Sequence, residues 1–412
     1  MRACFFKRPP FVLSIFFTVV CFIISCSKNT PYPPVPNGTG NTTGIGTGSD
    51  TSKTDPIASF NFPTGLAVDA AGNVYVADYG NDMIRKISIS GAVTTLAGNG
   101  GQGSVDAIDS LSSFNGPVNV ALDAQGNIYV ADENNNKIRK INGGMVTTLA
   151  GSDSTGYVDG PGATAAFFGP SGICIDSKNN VYVADAGNNL IRIVNTAGTV
   201  STYTGTLTPG ADNGTLQQAT FNNPAGMTLD ATGNNLYLAD LLNNLIRKIN
   251  IPTGMVTTLA GSGDLGSADS LGTSATFYFP TSVAVDASGN VYVAEYVNNR
   301  IRKITPDGTV STFAGTGKQG YADGQGTSAA FSGPTGVAVD ASGNVYVADT
   351  YNNLIRKITP GGLVSTIAGS GKAGANNGKA FSLRRAIRIT PINRNLLHKT
   401  ISDILVKKRT RH

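Results

Sequence analysis

The sequence predicts an all-β fold, a six-bladed β-propeller with four antiparallel strands in each blade. Three observations support this prediction. The motif Tyr-Val-Ala-Asp, or a close variant, recurs six times at intervals of 53 to 55 residues, and so regular a period indicates a repeat architecture. Each interval contains four short runs of strand-forming residues separated by turn sequences. The runs are apolar at successive positions, so both faces of each sheet must be covered, as in sheets stacked around an axis.

The last complete unit illustrates the four strands, which are predicted over 336–340, 344–349, 354–358 and 363–369. The sequence Asp-Ala-Ser-Gly-Asn joins the first two strands and is typical of a tight hairpin. A longer glycine-rich stretch connects one unit to the next and ends in Phe-x-x-Pro. Since each unit supplies its own four strands, we expect the ring to close by packing alone between the first and last units. The phenylalanines of the motif are Phe60, Phe114, Phe167, Phe221, Phe277 and Phe331.

A targeting segment precedes the repeats. A positively charged start is followed by a 15-residue, mostly apolar run over 11–25. This run is shorter than the roughly 20 residues of a membrane-spanning helix and indicates a signal peptide over 1–25. The run ends in Ile23-Ile24-Ser25-Cys26, which resembles the lipobox of bacterial lipoproteins. The resemblance implies cleavage before Cys26, lipidation of Cys26 and, with Ser27 next, location at the outer membrane. The alternative is an ordinary signal peptide with a chance cysteine.

Composition divides the remaining chain into three parts. Residues 26–56 comprise the lipidated cysteine and a flexible tether rich in Pro, Gly and Thr, which cannot bury enough apolar surface to offset its ordering entropy. Residues 57–378 form the propeller, and residues 379–412 form a basic end.

Of the net charge of +5, residues 1–25 contribute +3 and residues 379–412 contribute +9, which leaves −7 for 26–378. A propeller that binds nucleic acid needs a basic face, so we expect no nucleic-acid partner.

The six units resemble NHL repeats. In the first unit the matching residues are Pro63, Gly65, Asp69, Gly72 to Asp78, Asn81 and Ile84 to Lys86. The resemblance covers about residues 60–370 and implies a scaffold for recognition, because some family members bind proteins and some bind RNA. A few related propellers are lyases or lactonases. Three residues depart from the pattern: Asn119 and Ser282 replace glycine, and Glu295 replaces aspartate.

Three rings of charged residues recur in the units. The first acids open the hairpins, and we interpret them as acceptors of turn N–H bonds rather than calcium ligands. The second acids precede an asparagine by three residues and are interpreted in the same way. The arginines are expected to lie partly buried between blades, paired with acids, rather than along a ligand channel. The first acids are Asp69, Asp123, Asp176, Asp230, Asp286 and Asp340; the second are Asp78, Asp132, Asp185, Asp240, Glu295 and Asp349; the arginines are Arg85, Arg139, Arg192, Arg247, Arg302 and Arg356.

The residues that catalysis would need are scarce. Both histidines, His398 and His412, lie beyond the repeats, and the one cysteine within them, Cys174, is interpreted as a buried apolar filler. Propeller lyases and many hydrolases use histidine as a base or metal ligand. We therefore predict a protein that is not an enzyme, with no catalytic residue, cofactor or metal. The alternative function is a calcium-dependent hydrolase or lyase that uses carboxylates alone.

The turn Asp-x-x-Asn after the second strand differs from unit to unit. On the contiguous blades 4, 5, 6 and 1 its central residues are mainly apolar or aromatic, whereas on blades 2 and 3 they are polar or small. One such sector is typical of a binding patch. We therefore predict a monomer that binds a protein or glycan there, while Glu133 in the polar sector contributes little. The predicted ligand-binding residues are Tyr79, Leu241, Leu242, Tyr296, Val297 and Tyr351.

The repeat pattern stops near the end of the chain. After Gly369 another connecting stretch begins, but Ala-Phe-Ser at 380–382 leads into a basic, patternless segment. We interpret 379–412 as a degenerate or disordered end. Two alternatives stay open at this point: a genuine basic tail that contacts anionic lipid or polysaccharide, and a seven-bladed ring whose last blade was lost.

Overall fold

Six antiparallel sheets, one for each sequence unit, form a closed ring in residues 57–379, which are the residues described by the computed structural model. The inner strand of each blade contacts the inner strands of both neighbouring blades, including those of blades 6 and 1. The prediction of a six-bladed, all-β propeller is therefore confirmed, and the seven-bladed alternative is wrong. The predictions for the signal peptide, Cys26, the tether and the basic tail beyond Lys379 lie outside the described residues.

The first three blades follow the predicted four-strand plan. Blade 1 comprises β1 (Pro63–Val68), β2 (Val74–Asp78), β3 (Met83–Ile87) and β4 (Ala92–Ala97). Blade 2 comprises β5 (Pro117–Leu122), β6 (Ile128–Asp132), β7 (Lys137–Asn142) and β8 (Met145–Ala150). Blade 3 comprises β9 (Gly160–Pro161), β10 (Pro170–Ile175), β11 (Val181–Asp185), β12 (Leu190–Val194) and β13 (Thr199–Gly205). In blade 3 the two-residue strand β9 pairs with β13 at the outer edge of the sheet.

The last three blades repeat this plan. Blade 4 comprises β14 (Gly214–Thr215), β15 (Pro224–Leu229), β16 (Asn235–Asp240), β17 (Leu245–Asn250) and β18 (Met255–Ala260). Blade 5 comprises β19 (Pro280–Val285), β20 (Val291–Glu295), β21 (Arg300–Ile304) and β22 (Val310–Ala314). Blade 6 comprises β23 (Gly324–Gln325), β24 (Pro334–Val339), β25 (Val345–Asp349), β26 (Leu354–Ile358) and β27 (Leu363–Ala368). The short strand β28 (Gly378–Lys379) follows blade 6.

Single turns of 3-10 helix occur at two kinds of position. Five follow the second strand of a blade, and three lie in the connections between blades. The first group is Tyr79–Asn81, Glu133–Asn135, Ala186–Asn188, Leu241–Asn243 and Thr350–Asn352. The second group is Asp109–Leu111, Gly272–Ser274 and Gly326–Ser328.

The hydrophobic core lies between the blades. All five residues of β2 are buried, which confirms that strands apolar at successive positions are covered on both faces. One core cluster joins Tyr75 and Ala77 of blade 1 to Phe114, Val120 and Val130 of blade 2. The phenylalanine of Phe-x-x-Pro thus fills the space between consecutive sheets.

The inner strands approach each other so closely that they require glycine. A Cβ on Gly65 would lie 2.5 Å from the Cα of Asn119, and a Cβ on Gly226 would lie 2.8 Å from the Cα of Ser282. These contacts explain two departures from the repeat pattern. Asn119 and Ser282 fit because each faces a glycine of the preceding blade.

The end of the repeat region completes blade 1. Strand β28 pairs with β4, the outer strand of blade 1, and the N–H of Ala58 donates to the carbonyl of Lys379 at 3.2 Å. In blades 3, 4 and 6 the equivalent edge strand comes from the connection that precedes the blade. Our expectation that packing alone closes the ring is therefore wrong. The closing connection is divided between the two ends of the repeat region.

Candidate functional site

The first ring of acids locks the hairpins. Asp69 Oδ1 accepts hydrogen bonds from the backbone N–H of Asn73 at 2.8 Å and of Ala71 at 3.0 Å, while its Oδ2 accepts from Asn73 Nδ2 at 2.7 Å. Desolvation raises the pKa of Asp69, but these bonds outweigh it and hold the pKa below its ordinary value. The interpretation as turn locks is confirmed for this ring.

The second ring of acids is paired with the arginines. Asp78 lies 2.8 Å from the Arg85 guanidinium with both side chains fully buried, and it also accepts from the N–H of Asn61 and from Asn81 Nδ2. Desolvation raises the pKa of Asp78 to about 6, although the hydrogen bond from Asn61 and the charge of Arg85 both act to lower it. Equivalent pairs occur in all six blades. These repeated residues therefore hold the fold together. The arginines are paired with acids, as predicted, but they are fully rather than partly buried.

Each arginine has a further partner in the connection that precedes its blade. Arg139 lies 2.6 Å from Asp106, and in blade 1 Arg85 donates at 3.0 Å to Asn377, which comes from the end of the repeat region. Each guanidinium also lies over the phenylalanine of the connection, as Arg85 lies 5.4 Å from the ring centre of Phe60. The connection, the turn and the third strand of each blade are thus fixed to one buried cation.

A ring of asparagines that the sequence analysis missed joins the blades on the same side. Asn353 Oδ1 accepts a hydrogen bond at 2.8 Å from the N–H of Phe62, the residue before Pro63. The corresponding residue at every junction does the same, and all six have a positive φ. The only signal in the sequence was a second asparagine after Asp-x-x-Asn, replaced by aspartate in the first unit. The six acceptors are Asp82, Asn136, Asn189, Asn244, Asn299 and Asn353.

We call the side of the ring that carries these turns the upper face. It consists of the turns 79–82, 133–136, 186–189, 241–244, 296–299 and 350–353 together with the two residues before each Pro of Phe-x-x-Pro. The predicted ligand-binding residues all lie there, but none of them is exposed. Leu241 is buried, with 6% of its surface exposed, and the other five are half-buried. Leu241 therefore belongs to the core, and the remaining residues form part of a recessed surface.

The junction of blades 5 and 6 is filled by two tyrosines. The hydroxyl groups of Tyr296 and Tyr351 are hydrogen-bonded to each other, and their ring centres lie 5.8 Å apart. Both rings lie over Gly333, where a Cβ would come within 2.5 Å of Tyr351 and 3.1 Å of Tyr296. The ring of Phe62 meets Tyr351 edge to face at 5.7 Å. Three aromatic residues of blades 5, 6 and 1 are thus brought together.

Two phenylalanines of the upper face have left-handed backbone conformations. Phe62 has φ 50° and Phe279 has φ 52°, at the position where three other units have glycine and one has asparagine. Phe279 contacts Tyr278 edge to face at 5.1 Å. A bulky residue with positive φ is rare and costs about 1–3 kcal/mol, and such residues cluster at functional sites. The sequence analysis missed both phenylalanines. The available signal was a large residue directly before proline at a position where three other units have glycine.

The opposite side of the upper face is more polar. Tyr79 lies over Gly116 at the junction of blades 1 and 2, beside Asn134. Burial raises the pKa of the half-buried Glu133 to about 7. Burial also raises the pKa of Tyr79, with a smaller contribution from the charge of Glu133. The carboxyl group and the phenol therefore lie close enough to interact.

Residues 57–379 include no group of three or more His, Cys, Asp or Glu side chains placed to hold a metal ion. Cys174 is buried, as predicted, and desolvation raises the pKa of its thiol. No helix within the same residues has the length and apolar character needed to cross a membrane.

Comparisons with known proteins agree with this architecture. Five of the units, residues 60–86, 114–141, 167–194, 277–304 and 331–358, match the family model described as NHL repeat. The fourth unit forms the same blade, although its first hairpin is longer by one residue.

Relatives by sequence and by structure match about three quarters of the chain. The chain is 32% identical over 318 residues to the protein SUPPRESSOR OF QUENCHING 1 of Arabidopsis thaliana, covering 72% of this chain and 30% of that protein. Among solved structures, a Bacteroides thetaiotaomicron protein of unknown function has a TM-score of 0.58 at 21% identity, covering 74% of this chain and 71% of the other. An auxiliary nutrient binding protein of the same organism has a TM-score of 0.57 at 16% identity, covering 75% and 70%. The chain is thus a six-bladed β-propeller in which five of the blades contain an NHL repeat.

Proposed function

We propose that the protein is a recognition module of the bacterial cell envelope that binds a protein or glycan through the upper face of its propeller. The proposal extends to a lipid on Cys26 that anchors the protein to the outer membrane, with 26–56 as the tether. The propeller itself acts as a monomer. The fold is compatible with a binding role, since one solved protein with this fold is described as an auxiliary nutrient binding protein.

The division of residues within each repeat supports a binding role. Residues that recur in all units are used by the fold, in the buried ion pairs, the hairpin locks and the junction hydrogen bonds. Residues that differ between units are free to contact a ligand, and many of them lie on the upper face. A recessed surface that carries unit-specific side chains is typical of ligand sites.

The observation that carries the proposal is the aromatic group on blades 5, 6 and 1. Phe62 keeps a strained backbone conformation and packs against Tyr351, which is bonded to Tyr296. Backbone strain of this kind clusters at active sites and ligand clamps. Half-buried tyrosine and phenylalanine rings stack on sugar rings or accept apolar side chains of a protein.

A screen of the full-length protein against a glycan array and an array of envelope proteins tests the proposed function. We expect saturable binding to members of one of the two classes. Absence of specific binding to either array would count against a recognition module. A hit among the glycans and a hit among the proteins would each identify the ligand class.

The anchor is tested separately by the substitution Cys26→Ala. Because Cys26 is the proposed lipid acceptor, the variant should move from the membrane fraction to the soluble fraction of the envelope. Ser27→Ala serves as the matched control and should stay with the membrane. A Cys26→Ala protein that remains in the membrane fraction would show that the lipobox interpretation is wrong.

A further inference from the structure

The junction of blades 2 and 3 contains an open niche on the upper face. At two other junctions the glycine before proline is covered by turn residues, Tyr79 and Asn134 over Gly116 and two tyrosines over Gly333. At Gly169 a Cβ would meet no atom within 4 Å. The backbone is equivalent at all three glycines, since Gly116, Gly169 and Gly333 have φ 60°, 59° and 54°. The difference therefore lies in the side chains above them.

The two turn positions that cover the glycine at those other junctions are occupied here by Glu133 and Gly187. Glu133 occupies the turn position that is Tyr79 in blade 1 and Tyr296 in blade 5, and Gly187 stands where blade 6 has Tyr351. The turn of Glu133 is fixed to the niche, because Asn136 Oδ1 accepts from the N–H of Gly169 at 2.9 Å. Because the Glu133 side chain is shorter than that of tyrosine, it leaves Gly169 uncovered, whereas tyrosine covers Gly116 and Gly333.

The carboxyl group of Glu133 has no cationic partner within residues 57–379. None of the salt bridges among these residues includes it. The upper face as defined contains no lysine or arginine, and its only other acid, Asp82, accepts from the N–H of Gly116. Desolvation raises the pKa of Glu133 to about 7, so the charged form lacks full compensation.

One aromatic ring lies near this carboxyl group, and a second lies against the glycine of the neighbouring turn. The phenol of Tyr79 is close enough to respond to the charge of Glu133. Phe168, the neighbour of Gly169 in the chain, packs against Gly187, where a Cβ would lie 2.6 Å from the ring. A carboxylate with nearby aromatic faces is the combination that attracts organic cations, by charge-assisted hydrogen bonding and by cation–π attraction.

We propose that this niche, formed by Glu133, Tyr79, Phe168, Gly169 and Gly187, binds the cationic head of a ligand, a primary ammonium group. Glu133 supplies the counter-charge, the rings of Tyr79 and Phe168 contact the adjacent methylene groups, and the glycines leave the space. The niche lies across the ring from the Tyr296–Tyr351 pair. It is therefore a second site, and its existence does not depend on which ligand the aromatic group binds.

The composition of the chain allows a direct test. Glu133 and Glu295 are its only glutamates, so full-length protein labelled with 13C at the glutamate side-chain carboxyl group gives two signals. Titration with n-butylammonium chloride at pH 8 and constant ionic strength should move the Glu133 signal saturably. Glu295, which lies 2.9 Å from Arg302 in a buried pair, is the internal control and should not move. Neutral n-butanol should leave both signals in place.

Two variants complete the test. Glu133→Gln removes the charge with little change of shape and should weaken butylammonium binding at least tenfold, whereas Asp264→Asn removes an exposed acid of the blade 4–5 connection and should leave binding unchanged. Glu133→Tyr copies blades 1 and 5 and should abolish binding by covering Gly169. The proposal is overturned if the Glu133 signal does not respond saturably, if it moves no more than Glu295, or if Glu133→Gln binds as well as the wild type.

Discussion

The junctions of blades 2–3 and 5–6 lie on opposite sides of the ring and have the same backbone conformation. At both, the asparagine of one blade accepts from the N–H of a glycine in the next, Asn136 with Gly169 and Asn299 with Gly333, at 2.9 and 2.8 Å. Above the glycines they differ, because two tyrosines cover Gly333 and no atom would contact a Cβ at Gly169. The repeated residues thus fix the scaffold, while the turn residues decide whether a junction is filled or open.

The largest expected difference concerns the two glycines themselves. Gly333→Ala adds a Cβ 2.5 Å from Tyr351 to a left-handed residue, and backbone strain plus overpacking should lower the free energy of unfolding by about 3 kcal/mol. Gly169→Ala has the same backbone strain without the clash and should cost about 1 kcal/mol. Denaturant unfolding of the two variants measures the difference. Equal losses would mean that the junctions do not differ as described.

The two phenylalanines with left-handed backbone conformations provide a second test of how the upper face is packed. Phe62→Asn and Phe279→Asn each remove a half-buried ring but relieve a left-handed conformation that asparagine tolerates. The two effects oppose each other, so the free energy of unfolding should change by less than about 1 kcal/mol. Phe60→Asn, at a fully buried phenylalanine of the same connection, is the control and should cost several times more. A loss at Phe62 as large as that at Phe60 would mark Phe62 as a core residue.

A pH dependence of stability is expected on the open side. Since the folded-state pKa of Glu133 is raised to about 7 from 4.5, the folded protein binds the proton more tightly than the unfolded chain. Its contribution to stability is present below the unfolded pKa and is lost as pH rises to about 7. Comparison of the wild type with Glu133→Gln should show the wild type losing stability relative to the variant between pH 5 and pH 8. A constant difference across this range would contradict the raised pKa.

Sequence reasoning was most effective where each residue acts within its own unit. The strands, the hairpin acids and the pairing of the arginines with acids follow from patterns within one unit, so six copies of one pattern made them visible. Contacts between units were harder to predict. The bond between Phe62 and Asn353 joins residues 291 positions apart, and no local pattern indicates which asparagine crosses to the next blade.

The sequence predicted which turns share one face of the ring, but not how their side chains pack. The turn positions were found from their variation between units, but the sequence did not show that the side chains of Leu241, Tyr296 and Tyr351 pack down into the junctions. The positive φ of Phe62 and Phe279 was hidden because a residue before proline ordinarily favours an extended conformation. The closing strand β28 was missed because its sequence pairs with a blade at the other end of the repeat region.

We propose that unit-specific residues of the upper face bind the ligand, while repeated residues hold the fold. The most direct test is the affinity of the variant Tyr296→Ala/Tyr351→Ala for the ligand identified on the arrays. Loss of a central aromatic pair should cost ~2 kcal/mol or more, which is about a 30-fold weaker affinity, while circular dichroism still shows the propeller. Wild-type affinity in the folded variant would contradict the claim.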